Sequence, residues 1–494
     1  MKLSQLLKNV KLIEITGDLE KEIQSISYNS KSIKDGDLFV AISGFKKDGH
    51  DFIEEAIKNG AAAIVTQKEI KSDSRLTRII VPETREALAR ISSNFYDNPT
   101  TGLTLTGVTG TNGKTTTTFL IDSVLKSAGK KTSIITTIES FILNKKIPFD
   151  RTTPGSLELN EFSRDSINSD ADFLTMEVSS HAIDLHRIDF LDFDLFVFTN
   201  LTQDHLDYHK NMQNYFDTKK RLFAKEFRDL YSGRGAVINT DDIYGQQLLD
   251  FTDLKTLSYS VHSKDADIKA ENISSSTTGI EMDVLIKDKR KIRIKSKLCG
   301  YFNVYNILAS IGACVFLNID PYTIQKGIAG MAGVLGRFEK INEIDDFTVI
   351  VDYAHTPDGL ENILRTAGSI LNAGCRIITV FGCGGDRDKT KRSIMGNIAG
   401  KVSDFLIITS DNPRTEDPLS IISMIEDGVK ESGNKNYLKM PDRADAIRKA
   451  LNAASKNDIV IIAGKGHEDY QEFNGTRIYF SDQKIVKDWI SKQK

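Results

Sequence analysis

The sequence lacks any long hydrophobic run. No apolar stretch in its 494 residues approaches the roughly 20 residues that a membrane-spanning helix needs. Residues 1–15 also lack the apolar core and the small-residue cleavage site of a secretory signal. These absences argue against membrane insertion and lead us to expect a cytoplasmic protein.

Cysteine is scarce, and neither sign of charge dominates. The four cysteines form no C-x-x-C pair and no disulfide framework, as is usual in a reducing compartment. Lys and Arg total 65 against 68 Asp and Glu, which leaves a net charge of −3. Such a balance gives no bulk attraction to nucleic acid or to an anionic membrane. Low-complexity segments and solenoid repeats are missing too.

The length predicts about three domains. Residues 1–98 form the first, with strands at 37–42 and 61–65, a helix at 52–59 and an Asn98-Pro99 turn at its end. Residues 99–334 form the second, in which apolar runs alternate with helical patterns, as in a parallel sheet covered on both faces. A polar, strand-alternating stretch at 255–298 is interpreted as a β-rich insertion. The apolar runs of this domain lie at 103–108, 173–178 and 195–199.

Residues 335–494 repeat the alternation of apolar strand, polar turn and helix. The third domain is therefore predicted to be doubly wound and Rossmann-like, with strands at 347–351, 376–381, 405–409 and 459–463. The predicted fold class is α/β with three domains. These are a small N-terminal α/β unit, a central domain with a mostly parallel sheet, and the doubly wound C-terminal domain.

The most informative segment is glycine-rich and runs from 106 to 116, between a β-favouring run and a helical pattern at 117–128. In that context backbone N–H groups cradle phosphates, Lys114 reaches the β- and γ-phosphates, and Thr115 binds Mg²⁺. The usual G-x-x-x-x-G-K-[ST] pattern has Gly where Val108 stands, so Gly107 and Gly110 are predicted to bracket a loop one residue longer. A phosphate-binding loop is favoured over a structural turn.

Ligands of parallel sheets bind beyond the carboxyl ends of the strands. In the central domain the next two strands end near Glu177 and His205, a carboxylate and an imidazole that suit a hydrated Mg²⁺ site. The alternative makes Glu177 a helix-capping acid and His205 a surface histidine. In the third domain the strand ends hold two arginines and two acids, which suit a zwitterion, the alternative being mutual surface ion pairs.

Several of these segments together resemble the Mur ligases, over the whole chain and in the same order. They are 110–116 (GTNGKTT), 177–181 (EVSSH), 200–207 (NLTQDHLD), 336–339 (GRFE), 352–357 (DYAHTP), 411–414 (DNPR) and 464–470 (GKGHEDY). The resemblance implies a UDP-binding, an ATP-binding and an amino-acid-binding domain. It also implies that ATP phosphorylates a substrate carboxylate, and that an amine attacks the acyl phosphate through a tetrahedral intermediate to give an amide.

The same resemblance implies the ATP and metal residues. ATP contacts are expected from Gly110, Thr111, Asn112, Gly113, Lys114, Thr115, Thr116, Asn303, Asn306, Arg337 and Asp352. Two Mg²⁺ ions are expected on Thr115, Glu177, His205 and Lys219, with Lys219 carbamylated by CO₂ to N6-carboxylysine. Its neighbour Lys220 is the alternative carbamylated residue. The implied catalytic group is Lys114, Glu177, His205 and Lys219.

The implied substrates are UDP-MurNAc-L-Ala-D-Glu and meso-diaminopimelate. The nucleotide-sugar peptide is expected on Ser30, Thr152, Thr153, Pro154, Ser179, His186 and Arg187, and the amino acid on Arg387, Asp411, Asn412, Arg414, Gly464 and Glu468. Arg414 completes Asp-Asn-Pro-Arg, the form that resembles diaminopimelate-adding enzymes, and a bidentate arginine suits the second carboxylate that lysine lacks.

Several alternatives remain open from the sequence. meso-Lanthionine carries the same two carboxylates as diaminopimelate, and L-lysine is the amino acid of related enzymes. A folylpolyglutamate synthetase-like ligase, a P-loop motor or switch GTPase, and a non-catalytic UDP-sugar binder are more distant possibilities. The protein is expected to be a monomer.

Overall fold

Three large sheets, of five, eleven and six strands in the described residues, organise the chain into three α/β domains. The computed structural model describes residues 1–44, 47–69, 76–276, 278–287 and 290–493. Among the described residues, no helix is both long enough and apolar enough to cross a membrane. The predicted fold class is confirmed, and the three sheets appear in chain order.

The N-terminal sheet has five strands in the order β1-β5-β4-β3-β2, parallel except for β1. Strands β3 and β4 and helix α2 confirm the three elements that the sequence predicts there. The elements are α1 Leu3–Leu6, β1 Glu14–Thr16, β2 Ile26–Ser27, β3 Leu38–Val40, α2 Ile53–Lys58, β4 Ala63–Thr66, β5 Thr77–Ile80 and α3 Thr84–Phe95, with 3-10 turns at Ser30–Ser32 and Gly49–Phe52.

The central sheet has eleven strands. Its elements are β6 Thr104–Thr109, α4 Lys114–Ser127, β7 Thr132–Ile135, β8 Ser140–Ile142, β9 Lys145–Ile147, α5 Ser156–Asn168, β10 Phe173–Glu177, α6 Ser180–Asp184, β11 Leu195–Phe198, α7 Leu206–His209, α8 Met212–Lys220, β12 Gly235–Asn239, α9 Ile243–Phe251, β13 Lys255–Ser260, β14 Ile268–Ser276, β15 Gly279–Ile286, β16 Arg290–Ser296, α10 Phe302–Phe316 and α11 Pro321–Gly330, with 3-10 turns at Pro99–Gly102, Arg221–Phe223 and Lys225–Phe227.

The central strands lie in the order β16-β15-β14-β13-β12-β11-β6-β10-β7-β8-β9. The seven from β14 to β7 are parallel, and the outer two on each side are antiparallel. The stretch at 255–298 is thus β-rich as predicted, but it extends the main sheet rather than standing apart as an insertion.

The apolar central strands are buried on both faces, which is why they read as continuous hydrophobic runs. Along β11, Val197 packs into the core on one side of the sheet, under α4 and α10. Phe196 and Phe198 pack into the core on the opposite side. Alternate residues of one strand therefore pack into two separate cores.

The position of Gly107 differs from the one predicted for it in the phosphate loop. It lies inside β6 and not in the loop, which starts at Gly110. A Cβ on Gly107 would lie 2.8 Å from a ring carbon of Phe193 and 3.1 Å from Val178. This glycine serves strand packing, so the interpretation that it brackets a longer loop is wrong.

The C-terminal sheet has six strands in the order β17-β18-β22-β19-β20-β21, parallel except for β17 at one edge. Helices α12–α14 cover one face and α15 and α16 the other, so the domain is doubly wound as predicted. The elements are β17 Glu339–Ile341, β18 Thr348–Asp352, α12 Pro357–Ile370, β19 Ile377–Phe381, α13 Lys391–Val402, β20 Phe405–Ile408, α14 Pro418–Ser432, β21 Tyr437–Lys439, α15 Arg443–Ala453, β22 Ile459–Ala463, the hairpin β23 Tyr470–Phe473 with β24 Thr476–Tyr479, and α16 Asp482–Gln493.

Candidate active site

A cavity of about 370 Å³ lies where the carboxyl ends of the central strands face the C-terminal domain. Strands β6, β10 and β11 bring the central residues to it, and the segment after β18 closes it from the opposite side. The predicted site residues that line it are Gly110, Thr111, Asn112, Gly113, Lys114, Thr115, Thr116, Thr152, Glu177, Ser179, His205, Lys219, Asn306, Arg337 and Asp352.

The glycine-rich loop between β6 and α4 is tied to the end of β11. The backbone N–H of Thr111 donates to the Asn200 carbonyl at 2.8 Å, and the N–H of Asn112 donates to Asn200 Oδ1 at 2.9 Å. Gly110 and Gly113 have φ of 144° and 85°, values that favour glycine. A Cβ on Gly113 would clash with Asn306, so the loop fits only with glycine there. The segment is preorganised as an anion cradle at a helix N-terminus.

Lys114 is folded back over this loop. Its Nζ donates to the carbonyls of Gly110 at 3.0 Å and Thr111 at 2.7 Å, and burial lowers the pKa of its ammonium. Arg337 approaches from the C-terminal side, donating to Thr115 Oγ1 at 3.1 Å and stacking on Tyr353. Two cations from different domains thus converge where phosphates would bind.

Glu177 and His205 both face the cavity. Glu177 is 1% exposed and accepts bonds from the backbone N–H of Thr137 at 2.8 Å and its hydroxyl at 3.1 Å. Ser179, not Glu177, caps the following helix, so the capping alternative is wrong. Burial lowers the pKa of His205 to about 3, which leaves the ring neutral with a free nitrogen lone pair.

Lys219 projects from α8 into the same cavity and is 1% exposed. Its Nζ donates to the Gly110 carbonyl at 3.1 Å and to Thr109 Oγ1 at 3.3 Å. Among the ion pairs of the described residues, none includes Lys219. Burial and the neighbouring Lys114 lower the pKa of the Lys219 ammonium well below its ordinary value.

The donor set fits Mg²⁺ when ATP is also considered. No group of three or more His, Cys, Asp and Glu side chains in the described part of the chain converges as a metal cluster. Mg²⁺ commonly takes one or two carboxylates and completes its octahedron with substrate phosphates and water. A single buried carboxylate, a neutral imidazole and the Thr115 hydroxyl beside a phosphate loop meet that requirement.

The predicted ATP-binding residues Asn303, Asn306 and Asp352 differ in their position relative to the cavity. Asn306 lines the cavity, whereas Asn303 lies behind it and accepts a bond from Asn306 Nδ2 at 2.8 Å. Asp352 accepts from the backbone N–H groups of Phe338 at 2.5 Å and Ala354 at 2.7 Å, and burial raises its pKa to about 6. Asn303 therefore orients Asn306 rather than facing the cavity itself.

The predicted nucleotide-sugar residues are more dispersed. The hydroxyl of Thr153 bonds to the Glu177 carbonyl and to Ser179, and Arg187 donates to the Thr153 carbonyl at 3.0 Å. His186 pairs with Asp189 at 2.7 Å. Ser30 lies in the N-terminal domain, where its hydroxyl donates to Glu55 at 2.5 Å. The residues outside the cavity lining are Ser30, Thr153, Pro154, His186 and Arg187.

The predicted amino-acid residues form a second cluster at the carboxyl edge of the C-terminal sheet. Asn412 Nδ2 donates to Glu468 Oε2 at 2.8 Å, and the N–H of Asn412 donates to Asp411 at 2.6 Å. A Cβ on Gly464 would lie 2.7 Å from Asp411, so glycine leaves that carboxylate accessible.

The two arginines of this cluster pair with neither of its two acids. Arg387 donates to the Asp386 carbonyl at 3.0 Å, and both arginines approach Gly384. Arg414 donates to the Gly385 carbonyl at 2.7 Å and lies 3.6 Å from Glu472. In the part of the chain that the structure describes, the alternative of mutual ion pairs among the four predicted residues is therefore wrong.

The cavity lining also holds residues that were not predicted as site residues, and Asp204, Tyr353 and His355 among them stand in the quoted motifs. Asp204 is held by His205, His355 and Lys391 at a pKa below its usual range, in spite of its burial. Tyr353 lies between His355 and His467, with ring centroids 4.6 and 5.0 Å away. Asp358 accepts a 2.6 Å bond from Asn112. Each of these residues adjoins a residue of a recognised motif in the sequence, and that position was the signal that could have identified them.

The fold and the cavity define a P-loop enzyme assembled from three α/β domains, and comparison with known proteins narrows the class. Sequence models match residues 108–314 (Mur ligase middle domain), 336–466 (Mur ligase, glutamate ligase domain) and 22–96 (Mur ligase family, catalytic domain). The chain belongs to the Mur ligase family. It is an ATP-dependent ligase, which disfavours the motor and sugar-binder alternatives.

Two curated relatives and one solved structure carry the same name. The UDP-N-acetylmuramoyl-L-alanyl-D-glutamate--2,6-diaminopimelate ligase of Clostridium botulinum is 44% identical over 497 residues, covering 100% of both chains. The protein of that name from Caldanaerobacter subterraneus is 44% identical over 493 residues, covering 100% of this chain and 99% of its own. A solved structure with the same name is 31% identical with a TM-score of 0.69, covering 100% of this chain and 99% of its own.

Proposed function

We propose that this ligase joins meso-diaminopimelate to the D-glutamate carboxylate of UDP-MurNAc-L-Ala-D-Glu, with ATP as the energy source. The observation that supports it most is the pair of arginines and pair of acids at the edge of the C-terminal sheet. They stand across Tyr353 from a phosphate-binding cavity. One site suits a carboxylate-activating nucleotide, and the other suits an amino acid with a second carboxylate.

The chemistry follows from charge. Phosphorylating a carboxylate brings several anionic oxygens together, so preorganised cations and N–H donors supply most of the stabilisation. Lys114, Arg337 and the loop N–H groups would hold the phosphates. Thr115, Glu177 and His205 would hold Mg²⁺, which neutralises phosphate charge. The amine of the amino acid then attacks the acyl phosphate, and phosphate leaves.

Lys219 is proposed to act as a carbamate. An ammonium at this position would repel Mg²⁺ and Lys114, whereas a carbamate reverses the charge and provides oxygen ligands. Its burial beside Lys114, without a carboxylate partner among the described residues, supports the proposal. Lys220 is less suitable, because its Nζ lies 3.6 Å from the Phe251 ring centroid, on a different face of α8.

The remaining assignments are part of the same proposal. The domains are taken as 1–98 for UDP, 99–334 for ATP and 335–494 for the amino acid, in keeping with the three sheets. The nucleotide-sugar peptide would lie along Thr152, Thr153 and Ser179 toward Ser30. We further propose a monomer that works in the cytoplasm, where its nucleotide-linked substrate and ATP are found.

Phosphate release by the purified enzyme tests the function. We expect release only when ATP, the UDP-linked dipeptide and an amino acid are all present, with meso-diaminopimelate turned over faster than L-lysine. L-Lysine has no second carboxylate to pair with Arg414, so we expect its kcat/KM to be lower by about 10²-fold or more. meso-Lanthionine is assayed in parallel. Faster turnover of lysine would contradict the assignment, and release without the dipeptide would favour a simple ATPase.

A further inference from the structure

Lys465 is a fully buried lysine in the amino-acid cluster that has no role so far. Its side chain is 0% exposed, and the residue lies two positions after the end of β22. Its Nζ donates to Glu468 Oε2 at 2.8 Å and to Asn412 Oδ1 at 3.1 Å. Burying an ammonium is costly unless it is paired, and the hydrogen bonds to Glu468 and Asn412 compensate for the burial of Lys465.

The lysine orders the side chains around it. Asn412 Oδ1 accepts from Lys465 and from the backbone N–H of Glu472 at 3.1 Å, which orients its Nδ2 toward Glu468. Both hydrogen bonds to the Glu468 carboxylate in the described structure fall on Oε2. The other oxygen, Oε1, is left for a ligand.

The charges nearby show why a lysine is needed. Burial and Asp411 both raise the pKa of Glu468, and Lys465 lowers it. Arg443 is also near, but Asp482 neutralises it through bonds of 2.8 and 2.7 Å. The ionisable groups that face Glu468 from the packed elements are Asp411, Lys465, Tyr353, Tyr470 and Arg443. The ammonium of Lys465 is therefore the cation that pairs directly with Glu468, at 2.8 Å.

We propose that Lys465 is a positioning residue of the amino-acid pocket, whose ammonium keeps Glu468 an anion with Oε1 free to bind the ammonium of the incoming amino acid. Without that ammonium, burial and Asp411 would favour the protonated form of Glu468. A protonated Glu468 is a weaker partner for a cation. The inference rests on the proposed function, because it takes diaminopimelate as the ligand.

The test compares Lys465→Met with wild type in the ligation assay at about pH 7 and about pH 9. We expect KM for diaminopimelate to rise about tenfold at neutral pH and to fall within about twofold of wild type at the higher pH, which favours the ionised form of Glu468. KM for ATP stays near wild type. The amines of the substrate titrate equally in both enzymes, so the ratio of KM values isolates the protein group.

Three controls keep the outcomes distinct. Lys487→Met makes the same change at an exposed lysine of the same domain and leaves KM unchanged. Adding Glu468→Gln to Lys465→Met costs little more at neutral pH, because the two residues act as one unit. Lys465→Arg keeps the charge, so if Lys465→Met does not fold, the arginine variant should still bind better than Glu468→Gln alone.

The inference is overturned by a KM ratio that is equal at both pH values, or by Lys465→Arg losing as much as Glu468→Gln. A wild-type enzyme that does not turn over diaminopimelate contradicts the proposed function instead. The two failures are therefore separable.

Discussion

Lys219 shows how far a single residue can be assigned from sequence. It stands in the basic run 219–221, which by itself is typical of a solvated helix face, and only the resemblance singles it out. The structure buries Lys219 beside the phosphate loop, because tertiary packing decides which face of α8 points inward. Glu177 and His205 were easier to predict, since both follow directly from strand ends.

Replacing Lys219 with alanine tests the carbamate at this scale. We expect Lys219→Ala to lower kcat by about 10²-fold or more, because the site loses an anionic group next to the phosphates. Small carboxylates added to the assay should restore part of the activity by entering the space left by the carbamate. Phosphate-release kinetics with and without added formate or acetate provide the measurement.

Lys220→Ala is the matched control, since it changes the neighbouring lysine on the same helix. It should retain activity within a few-fold of wild type. The carbamate assignment fails if Lys219→Ala is nearly as active as wild type, or if Lys220→Ala is the variant that loses activity and responds to carboxylates.

At the scale of elements, strand positions were predictable and strand neighbours were not. The runs at 103–108, 173–178 and 195–199 all become strands of the central sheet. Their order, with β6 between β10 and β11, depends on pairings such as Leu174 with Leu105 and Phe198 with Thr109, which are 69 and 89 residues apart (174 − 105 and 198 − 109) and which no local pattern records. Helix α4 begins at Lys114 and not at 117, because Gly113 caps it in a left-handed conformation.

The packing glycine of β6 provides a prediction about stability. In Gly107→Ala the new Cβ meets the Phe193 ring at 2.8 Å, and overpacking of this kind costs about 1–3 kcal/mol. The thermal midpoint of the central domain should fall, while ATP binding by the folded fraction is retained. Gly330→Ala is the control, since nothing lies within 4 Å of its Cβ. Equal midpoints for Gly107→Ala and wild type would contradict the packing role.

At the scale of the whole molecule, the candidate active site lies between the central and C-terminal domains. Neither the sequence pattern nor any one domain shows that the carboxyl edges of the central and C-terminal sheets face each other across one cavity. That arrangement depends on contacts such as the one between Arg337 and Thr115. The site residues could be predicted within each domain, but their partners across the domain junction could not, because those partners are separated by up to 246 residues.

The bond from Asn112 to Asp358 is the clearest of these junction contacts and yields the last prediction. It joins the phosphate loop to the start of α12 at 2.6 Å, and a hydrogen bond to a charged group contributes about 1.5–3 kcal/mol. Asp358→Ala should therefore favour a more open arrangement of the two domains and raise KM for ATP about tenfold. Small-angle scattering should show a larger radius of gyration for the variant with an ATP analogue bound. Glu361→Ala, an exposed change on the same helix, should leave both quantities unaltered. Unchanged scattering together with unchanged KM for ATP in Asp358→Ala would mean that this contact does not hold the domains together, and that the cavity is closed by Arg337 and its neighbours alone.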